Sequence, residues 1–299
     1  MVIDTIALTK GIRAEFNKAL VTGPGGRYDI AYTRAPSTAA SETYGWLGQV
    51  PTLREWIGEK KVKSLEDHSY TITNKDFEGT IAVDRNEIED DQVGIIRPRI
   101  QDLALRARAF PSRLVSDLVA GGTTYLAYDG SAFFADRTAP NDNLLAGTGA
   151  TTEALLLADL ATARAAMMMF TDDAGEVMEI EGDTIICPPA LEVLFARLVT
   201  SQKFTGGTTT VAEKNFWSGQ IKNLIVDPRL SDANDWYLAA LQYPLKPFIY
   251  QDRKKPKLIS LDKEDSVENF MRKKLLYSVE MRGNAGYGYF QMCVKTVNG

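Results

Sequence analysis

The chain has 299 residues, of which 44% are hydrophobic and 24% are charged, and its formal net charge is -5. These values are ordinary for folded protein, and the length allows one elaborated domain or two fused domains with a sizeable core. The acidic balance argues against a surface that grips nucleic acid, because such surfaces concentrate basic residues on one face.

The start of the chain and its two cysteines indicate a compartment. Residues 1–6 lack the basic segment and apolar run of a secretory signal, and no stretch approaches the ~20 apolar residues of a membrane span. We therefore expect synthesis in the cytoplasm and no contact with membrane. Cys187 and Cys293 both lie in apolar runs, and we predict two buried thiols without a disulfide.

Residues 1–41 are predicted to form an arm that carries one short helix. Leu8, Ile12, Phe16 and Leu20 recur at helical spacing before the glycine-rich break at residues 23–26. The segment that follows has too few large apolar residues for a core of its own. The arm is therefore expected to need a neighbouring surface.

Residues 42–83 are predicted to form a protruding β-hairpin. The stretches Tyr70–Thr73 and Phe77–Val83 alternate apolar and polar residues on either side of the turn residues 74–76. Trp46, Trp56 and a charged run at residues 59–63 precede them. The pattern predicts two antiparallel strands that pair with each other and share one apolar face.

A long helix is predicted from Pro98, which suits a first helical turn, to about Ala120. Pro111 inside it predicts a kink, because proline removes one backbone hydrogen bond. One face is expected to be buried along its length: Ile96, Ile100, Leu103, Ala107, Phe110, Leu114 and Leu118. The other face suits either solvent or an interface and carries Arg97, Arg99, Arg106, Arg108 and Arg113.

The rest of the chain alternates helices and strands without an internal repeat. Thr152 is predicted to cap a helix whose buried stripe is Leu156, Leu160, Ala163, Met167 and Phe170. Strands are predicted at residues 183–187, 220–226, 236–240, 245–250, 275–281 and 287–297, with a helix after Pro188-Pro189 and a glycine loop at residues 205–210. The fold class is α+β.

No pattern in the sequence indicates a cofactor, a metal or catalysis. His68 is the only histidine, which excludes a multi-histidine metal site, and its polar surroundings favour an exposed loop. The glycine pair at 147 and 149 lacks the third glycine and the lysine of a phosphate-binding loop. The acidic residues 84–91 are explained by a solvated helix start, and the basic run 253–257 by an exposed turn.

Several short motifs, read in order, resemble the Mu-like phage major head subunit family over nearly the whole chain. They are Tyr44–Gly48, Val50–Gly58, Asp76–Thr80, Tyr128–Gly130 with Phe133-Phe134, Asp227–Leu230 and Arg282–Gly288. Each motif is weak alone, and their shared order makes the set specific.

The resemblance implies a Hong Kong 97-type capsid fold and a structural role rather than an enzyme. It implies an N-terminal arm at residues 1–41, an extended loop at 42–83 and an axial domain at 180–265. The peripheral domain is implied at residues 84–179 and 266–299, with its spine helix at about 98–120. The implied function is self-assembly, as pentamers and hexamers, into an icosahedral phage or prophage shell around double-stranded DNA.

The resemblance also implies which residues meet other subunits. The extended loop is expected to contribute Trp46, Trp56, Lys60, Lys61, Lys63, Tyr70, Ile72, Phe77 and Ile81. The spine helix is expected to contribute Arg99, Arg106, Arg108 and Arg113. The hairpin from residue 59 to 83, Pro111 and the pair Gly206-Gly207 are the expected adjustable elements, since one surface must close with five or six neighbours.

Expected partners are other copies of the chain, a scaffolding protein, a portal and packaged DNA bound without sequence specificity, all in a virion assembled in the host cytoplasm. Because the arm begins at Met1, we expect a separate scaffold. Lys60, Lys61 or Lys63 could form an isopeptide crosslink, although nothing identifies the partner asparagine or an acid. Two alternatives stay open: the shell of a cellular nanocompartment with protein cargo, and a hydrolase that uses His68.

Overall fold

A computed structural model of the chain describes residues 5–45, 69–86, 93–149, 152–172, 175–201, 203–204, 213–263 and 266–299. The helices in these ranges are α1 (Thr5–Thr22), α2 (Val93–Ala120), α3 (Glu153–Met169), α4 (Glu192–Thr200) and α5 (Val267–Arg272). The strands are β1 (Tyr32–Pro36), β2 (Ser41–Tyr44), β3 (Tyr70–Thr73), β4 (Lys75–Asp84), β5 (Leu144–Ala146), β6 (Thr184–Cys187), β7 (Lys203–Phe204), β8 (Glu213–Lys214), β9 (Asn223–Val226), β10 (Trp236–Ala239), β11 (Phe248–Leu261), β12 (Lys274–Tyr287) and β13 (Cys293–Val297). None of these helices is both long enough and apolar enough to span a bilayer.

The first sheet has four strands in the order β1-β11-β12-β4. β1 runs parallel to β11, and the other neighbours are antiparallel. β11 and β12 are 14 residues each and form a long ribbon, with α5 in the connection between them. The long helix α2 packs on this sheet, because the inward residues of β4 and β12 are apolar.

The second sheet has five strands in the order β5-β13-β10-β6-β9. All four residues of β6 and of β10 are buried, so this sheet is covered on both faces. One face carries α3 and α4, whose apolar side chains form a core with Trp236 and Leu238. The predicted cap and stripe of α3 are confirmed: Thr152 accepts a hydrogen bond from Leu155 N, and all five stripe residues are buried.

The other face of the five-stranded sheet shares a core with the first sheet. Ile186, Ile225 and Tyr237 of the five-stranded sheet lie in one cluster with Phe248 and Tyr287 of the four-stranded sheet. The two sheets therefore belong to one continuous packed body. Cys187 and Cys293 are buried free thiols, as predicted, and burial raises the pKa of the Cys187 thiol to about 12.

The predicted hairpin is wrong, because its two strands do not pair with each other. β3 pairs with β2, whereas β4 pairs with β12 from Lys75 to Asp84. Asn74 alone separates β3 from β4; its N–H donates to Ala40 O and its side chain to Ser37 Oγ. The long edge of β12 offers ten residue pairs, and the four-residue β3 offers too few to compete.

The predicted arm packs on its own subunit. Ile12 and Phe16 of α1 are buried against Ile96 and Ile100 of α2, and β1 is part of the four-stranded sheet. The neighbouring surface that the arm needs is therefore supplied by its own chain. The side chain of Leu8 lies outside the described residues.

The helix α2 begins at Val93, so Pro98 lies inside it and not in its first turn. The predicted buried face is correct as far as Ala107 and then moves by one residue. Beyond Ala107 the buried residues are Pro111, Ser112, Val115, Ser116 and Val119, flanked by half-buried Phe110, Leu114 and Leu118. Small side chains form this inner stripe because the helix lies close to the arm and the sheets.

The predicted domain ranges do not follow the two sheets. β11 falls in the range 180–265 but pairs with β12 and β1, and β13 falls in the range 266–299 but pairs with β10 and β5. The chain crosses between the sheets at residues 240–247 and again at 288–292. Strand lengths alone did not reveal these crossings, because pairing partners are not encoded locally.

Candidate assembly surfaces

The foot of the predicted extended loop is a two-stranded stem made of β2 and β3, with Tyr44 opposite Tyr70 at its upper end. Residues 46–68, which the stem carries, lie outside the described residues. The predictions for Trp46, Trp56, Lys60, Lys61, Lys63 and His68 fall in that range and stay predictions. The same holds for the crosslink proposed for those lysines.

The four predicted interface residues of the extended loop that the structure describes pack in their own subunit. Ile72 is 3% exposed in the core that the two sheets share, and Tyr70 is half-buried against the same core. Phe77 lies with its ring centroid 4.6 Å from that of Phe110, and Ile81 packs in the cluster under α1. These side chains therefore hold the stem and β4 to the subunit. Buried Ile72 has no surface left for another subunit, whereas the interface role of half-buried Tyr70, Phe77 and Ile81 stays a prediction. Their alternation was real, but the face they bury is internal.

A carboxylate fixes the lower end of the stem. Glu42 Oε1 accepts hydrogen bonds from Ser37 Oγ (2.9 Å), Thr38 N (2.7 Å) and Ala39 N (3.0 Å). The backbone N–H groups of Ala39 and Thr38, followed by the Ser37 hydroxyl, lower the pKa of Glu42 below its usual value. The ionised carboxylate is thus the form that closes the turn at residues 37–42.

We expect this turn to weaken in acid. Because the folded-state pKa of Glu42 is lowered, its contribution to stability is present above the unfolded value of about 4.3 and is lost as pH falls through the folded value. Thermal melts of the wild type and of Glu42→Gln across pH 3–7 measure this. The difference in melting temperature should be constant at neutral pH and shrink in acid, and a difference independent of pH would contradict the assignment.

The arginines of α2 divide into two groups. Arg97, Arg99, Arg106 and Arg113 are exposed, and Arg106 pairs with Asp102 one turn away at 2.8 Å. Arg108 instead donates to Leu20 O (2.5 Å) and Val21 O (2.7 Å), which are carbonyls of the last turn of α1. Arg108 is therefore a clamp on its own arm, whereas Arg99, Arg106 and Arg113 keep the exposure that an interface needs.

The predicted hinges are only partly visible. Pro111 is buried in a helix that continues without interruption to Ala120, so its role as a hinge stays a prediction. Gly206 and Gly207 lie outside the described residues.

A buried carboxylate that the sequence analysis did not single out joins the arm, the spine helix and the five-stranded sheet. Asp227, at the end of β9, accepts hydrogen bonds from Tyr28 Oη (2.8 Å), Ser116 Oγ and Arg229 N (3.0 Å). Tyr28 N in turn donates to Ser112 Oγ at 2.8 Å. Burial, and then the charge of Asp227, raise the pKa of Tyr28, so its hydroxyl remains a donor. The motif Asp227–Leu230 was the available signal.

The aromatic turn after α2 is held by a second buried network. Asn143, which is fully buried, donates to Phe133 O, Phe290 O and Cys293 O. Arg137 donates to Asn143 Oδ1 and to Asp129, and its guanidinium lies 3.7 Å from the centroid of the Phe290 ring. The turn is thus a rigid joint between the spine helix and the C-terminal strands.

One exposed apolar surface lies at the far end of the β11-β12 ribbon. Three side chains of α5 are more than two-thirds exposed: Val267, Phe270 and Met271. Their spacing of three and four residues would mark a buried helix face, yet the described residues of the subunit leave them open. Exposed apolar patches of this kind mark interaction sites. The sequence shows this apolar stripe. Its spacing alone does not indicate that the stripe stays exposed.

The described residues contain no group of three or more histidine, cysteine or acidic side chains arranged to hold a metal ion. Open surfaces in the described part of the chain include the stem, the exposed arginine row and the ribbon tip. All three are suited to binding protein.

One known protein family matches nearly the whole chain. A family model described as "Mu-like prophage major head subunit gpT" matches residues 6–153, 148–230 and 229–298. The "Major capsid protein" of Escherichia phage Mu is 29% identical over 288 residues, which are 96% of this chain and 72% of that protein.

Solved structures show the same fold. A subunit from the "Procapsid of bacteriophage JBD30" aligns with a TM-score of 0.61 and 30% identity, covering 100% of this chain and 77% of that one. The "virus-like particle from Pyrococcus furiosus" aligns with a TM-score of 0.53 over 96% of this chain and 98% of that one. At 12% identity, the second likeness concerns the fold alone.

Proposed function

The chain belongs to the Mu-like prophage major head subunit family, and we propose that its copies assemble as pentamers and hexamers into an icosahedral shell that encloses double-stranded DNA. Family membership makes it a capsid subunit of the Hong Kong 97-type fold, a structural protein and not an enzyme. It also favours the phage head over the nanocompartment, since the matched family and relative are head proteins.

The observation that carries the proposal is the family match over residues 6–298, joined to a subunit whose open surfaces suit protein contacts. The ribbon tip and the arginines at 99, 106 and 113 lie on different elements. A subunit with separate contact surfaces can bind head to tail, which closes rings. Many weak contacts repeated around a shell give a stable whole.

The finer assignments are part of the same proposal. The four-stranded sheet with α1 and α2 corresponds to the peripheral domain, and the five-stranded sheet with α3 and α4 to the axial domain. A scaffolding protein and a portal act during assembly in the host cytoplasm, and the product is a virion. The net charge of -5 supports a lining along which DNA slides without sequence-specific contacts.

A deletion tests the role of the extended loop. Because Tyr44 pairs with Tyr70, the ends of the stem are adjacent, and a short Asn-Gly turn can replace residues 46–68. We expect this variant to fold with a normal melting temperature and to form no closed particles, as judged by size-exclusion chromatography and electron microscopy. Closed particles of normal appearance would count against the loop as an assembly element.

The matched comparison is a deletion of residues 60–82, which the predicted hairpin would have tolerated. That deletion removes β3 and most of β4, and with them the buried Ile72. It should therefore abolish folding rather than assembly alone.

Absorbance at 260 nm of wild-type particles distinguishes DNA-filled heads from shells with protein cargo.

A further inference from the structure

The five-stranded sheet ends in two strands with the same direction. β9 is parallel to β6, β6 and β13 are both antiparallel to β10, and β5 is parallel to β13. β5 and β9 therefore run the same way at opposite edges. Among the described strands, each has a neighbour on one side only. Unpaired edges bind further strands, and they are usually blocked in proteins that stay monomeric.

The outward backbone groups of β9 follow from its bonds to β6. Asn223 N donates to Asp183 O and Asp227 N to Cys187 O, so Asn223, Ile225 and Asp227 face β6. Leu224 and Val226 consequently face the open side. Arg27 Nη1 already donates to Val226 O at 2.8 Å. The open edge of β9 thus offers Leu224 N–H, Leu224 C=O and Val226 N–H.

The same reasoning gives the open groups of β5. Lys295 N donates to Asn143 O and Gly147 N to Val297 O. The backbone N–H and C=O groups of Leu144 and Ala146 therefore point away from β13. Leu144 N already donates to Asp142 Oδ1 at 2.9 Å. The open edge of β5 thus offers Leu144 C=O, Ala146 N–H and Ala146 C=O.

These two sets are complementary in one parallel register. With Leu224 opposite Leu145, Leu224 N–H meets Leu144 O, Ala146 N–H meets Leu224 O, and Val226 N–H meets Ala146 O. The next bond in the series would join Thr148 N–H to Val226 O. Thr148 N already donates to Asp159 Oδ1, and Val226 O already accepts from Arg27, so the series ends there with both groups satisfied.

The side chains also match in this register. Leu145 and Leu224 both pack on the core under α3 and α4, so they lie on the same face of the sheet. Leu144 and Ile225 both belong to the opposite core. A second sheet joined in this way would keep its helices on the same side, which an operation that repeats around a ring requires.

Space for the added strand exists beside β9. A groove of about 650 Å³ runs along this strand, between it and Ile30 of the arm and Pro189 before α4. Ile30 is 42% exposed, so the groove is open in the isolated subunit, and its lining combines Ile30 and Pro189 with the charged side chains of Arg27 and Glu192. Lys222 and Pro228 bound the groove at its ends, which limits the guest to a short strand.

We propose that β5 of one subunit adds to β9 of a second copy of this chain, so that the five-stranded sheets continue from subunit to subunit within a ring. This inference rests on the proposed self-assembly and names the contact that it uses. The contact is heterologous, because it joins two different edges, and a two-fold pairing of β9 with β9 would be antiparallel.

Disulfide trapping tests the register. Leu145→Cys combined with Leu224→Cys places the two Cα atoms about 4.8 Å apart across the contact, within disulfide range. Within one subunit the same positions are four strand spacings apart, about 19 Å, so any disulfide must join two copies. The native thiols Cys187 and Cys293 are buried and do not compete. Non-reducing gels should show a ladder of oligomers up to the ring size.

The control pair is Leu145→Cys with Val226→Cys, on the same face of the sheet. Two residues of offset separate its Cα atoms by about 8 Å, beyond disulfide range, so no ladder is expected. Intact particles that fail to crosslink through the first pair, or that crosslink equally through both, would overturn the sheet continuation. A wild-type chain that never leaves the monomer would instead overturn the proposed self-assembly as well.

A proline gives a second test. Ala146 is exposed and its N–H points away from β13, so Ala146→Pro removes one intersubunit donor and leaves the β5-β13 ladder intact. Ala146→Val keeps the donor and serves as the control. We expect the proline variant to melt like the wild type and to lose about tenfold in affinity at each contact, with few closed particles. Normal assembly by a folded proline variant would overturn the proposal.

Discussion

Replacement of Phe133 by alanine is expected to destabilise the subunit by about 3–5 kcal/mol, the usual cost of removing a fully buried phenylalanine side chain. Phe133 has no exposed surface, and its ring lies parallel to that of Tyr287 with centroids 4.3 Å apart. It also contacts Phe134 and Phe248. The cavity would open where the aromatic turn, β11 and β12 meet, and rigid networks on both sides would hinder its collapse.

Urea-induced unfolding of the wild type and of Phe133→Ala measures this loss. Tyr125→Ala is the matched control, because Tyr125 lies in the same turn and is 57% exposed. Truncation there should change the free energy of unfolding by no more than about 0.5 kcal/mol. Similar losses in both variants would show that Phe133 has no special role in the core.

Replacement of Asp227 by alanine is the second large expected effect, roughly 3 kcal/mol or more. The Tyr28 and Ser116 hydroxyl groups and the Arg229 N–H would lose their acceptor, at about 1–3 kcal/mol for each group left buried and unpaired. The loss would loosen the arm, the spine helix and the end of β9 together. Since β9 is the edge proposed to receive β5 of another subunit, we expect assembly to fail along with stability.

A double-mutant cycle separates this network from simple packing. Tyr28→Phe keeps the buried ring and removes only the hydroxyl donor, so it should cost about 1 kcal/mol in the wild-type background. In the Asp227→Ala background the same change should be nearly neutral, because the partner is gone. Equal costs in the two backgrounds would mean that the two side chains act independently.

The sequence predicted local features well where one element decided the outcome. The cap at Thr152 and the stripe from Leu156 to Phe170 were correct because capping and helical burial depend on neighbouring residues. The buried strand after Asp183 and both buried thiols followed from apolar runs in the same way. The family resemblance correctly indicated the fold and the role of a head subunit.

The candidate assembly residues were harder to predict, because the spacing of apolar residues does not show whether their face is buried or exposed. Ile72 and Phe77 alternate as an interface strand would, yet they face their own core. Arg108 lies in a row with Arg106, but only Arg108 reaches the carbonyls that end α1. Val267, Phe270 and Met271 have the spacing of a buried face and are exposed.

By itself, the sequence of this protein determined most of the helical and extended segments, the absence of a multi-histidine metal site, and the family. It placed the basic run 253–257 in an exposed turn, which is wrong, because that run lies inside β11. Tertiary structure alone decided that β4 joins β12 instead of β3, that the arm lies on its own subunit, and that β5 and β9 are the edges of the five-stranded sheet among the described strands. The reason is physical. Helix propensity and alternation are properties of adjacent residues, whereas pairing, burial and open edges depend on which distant segments reach each other first in space and bury the most apolar surface.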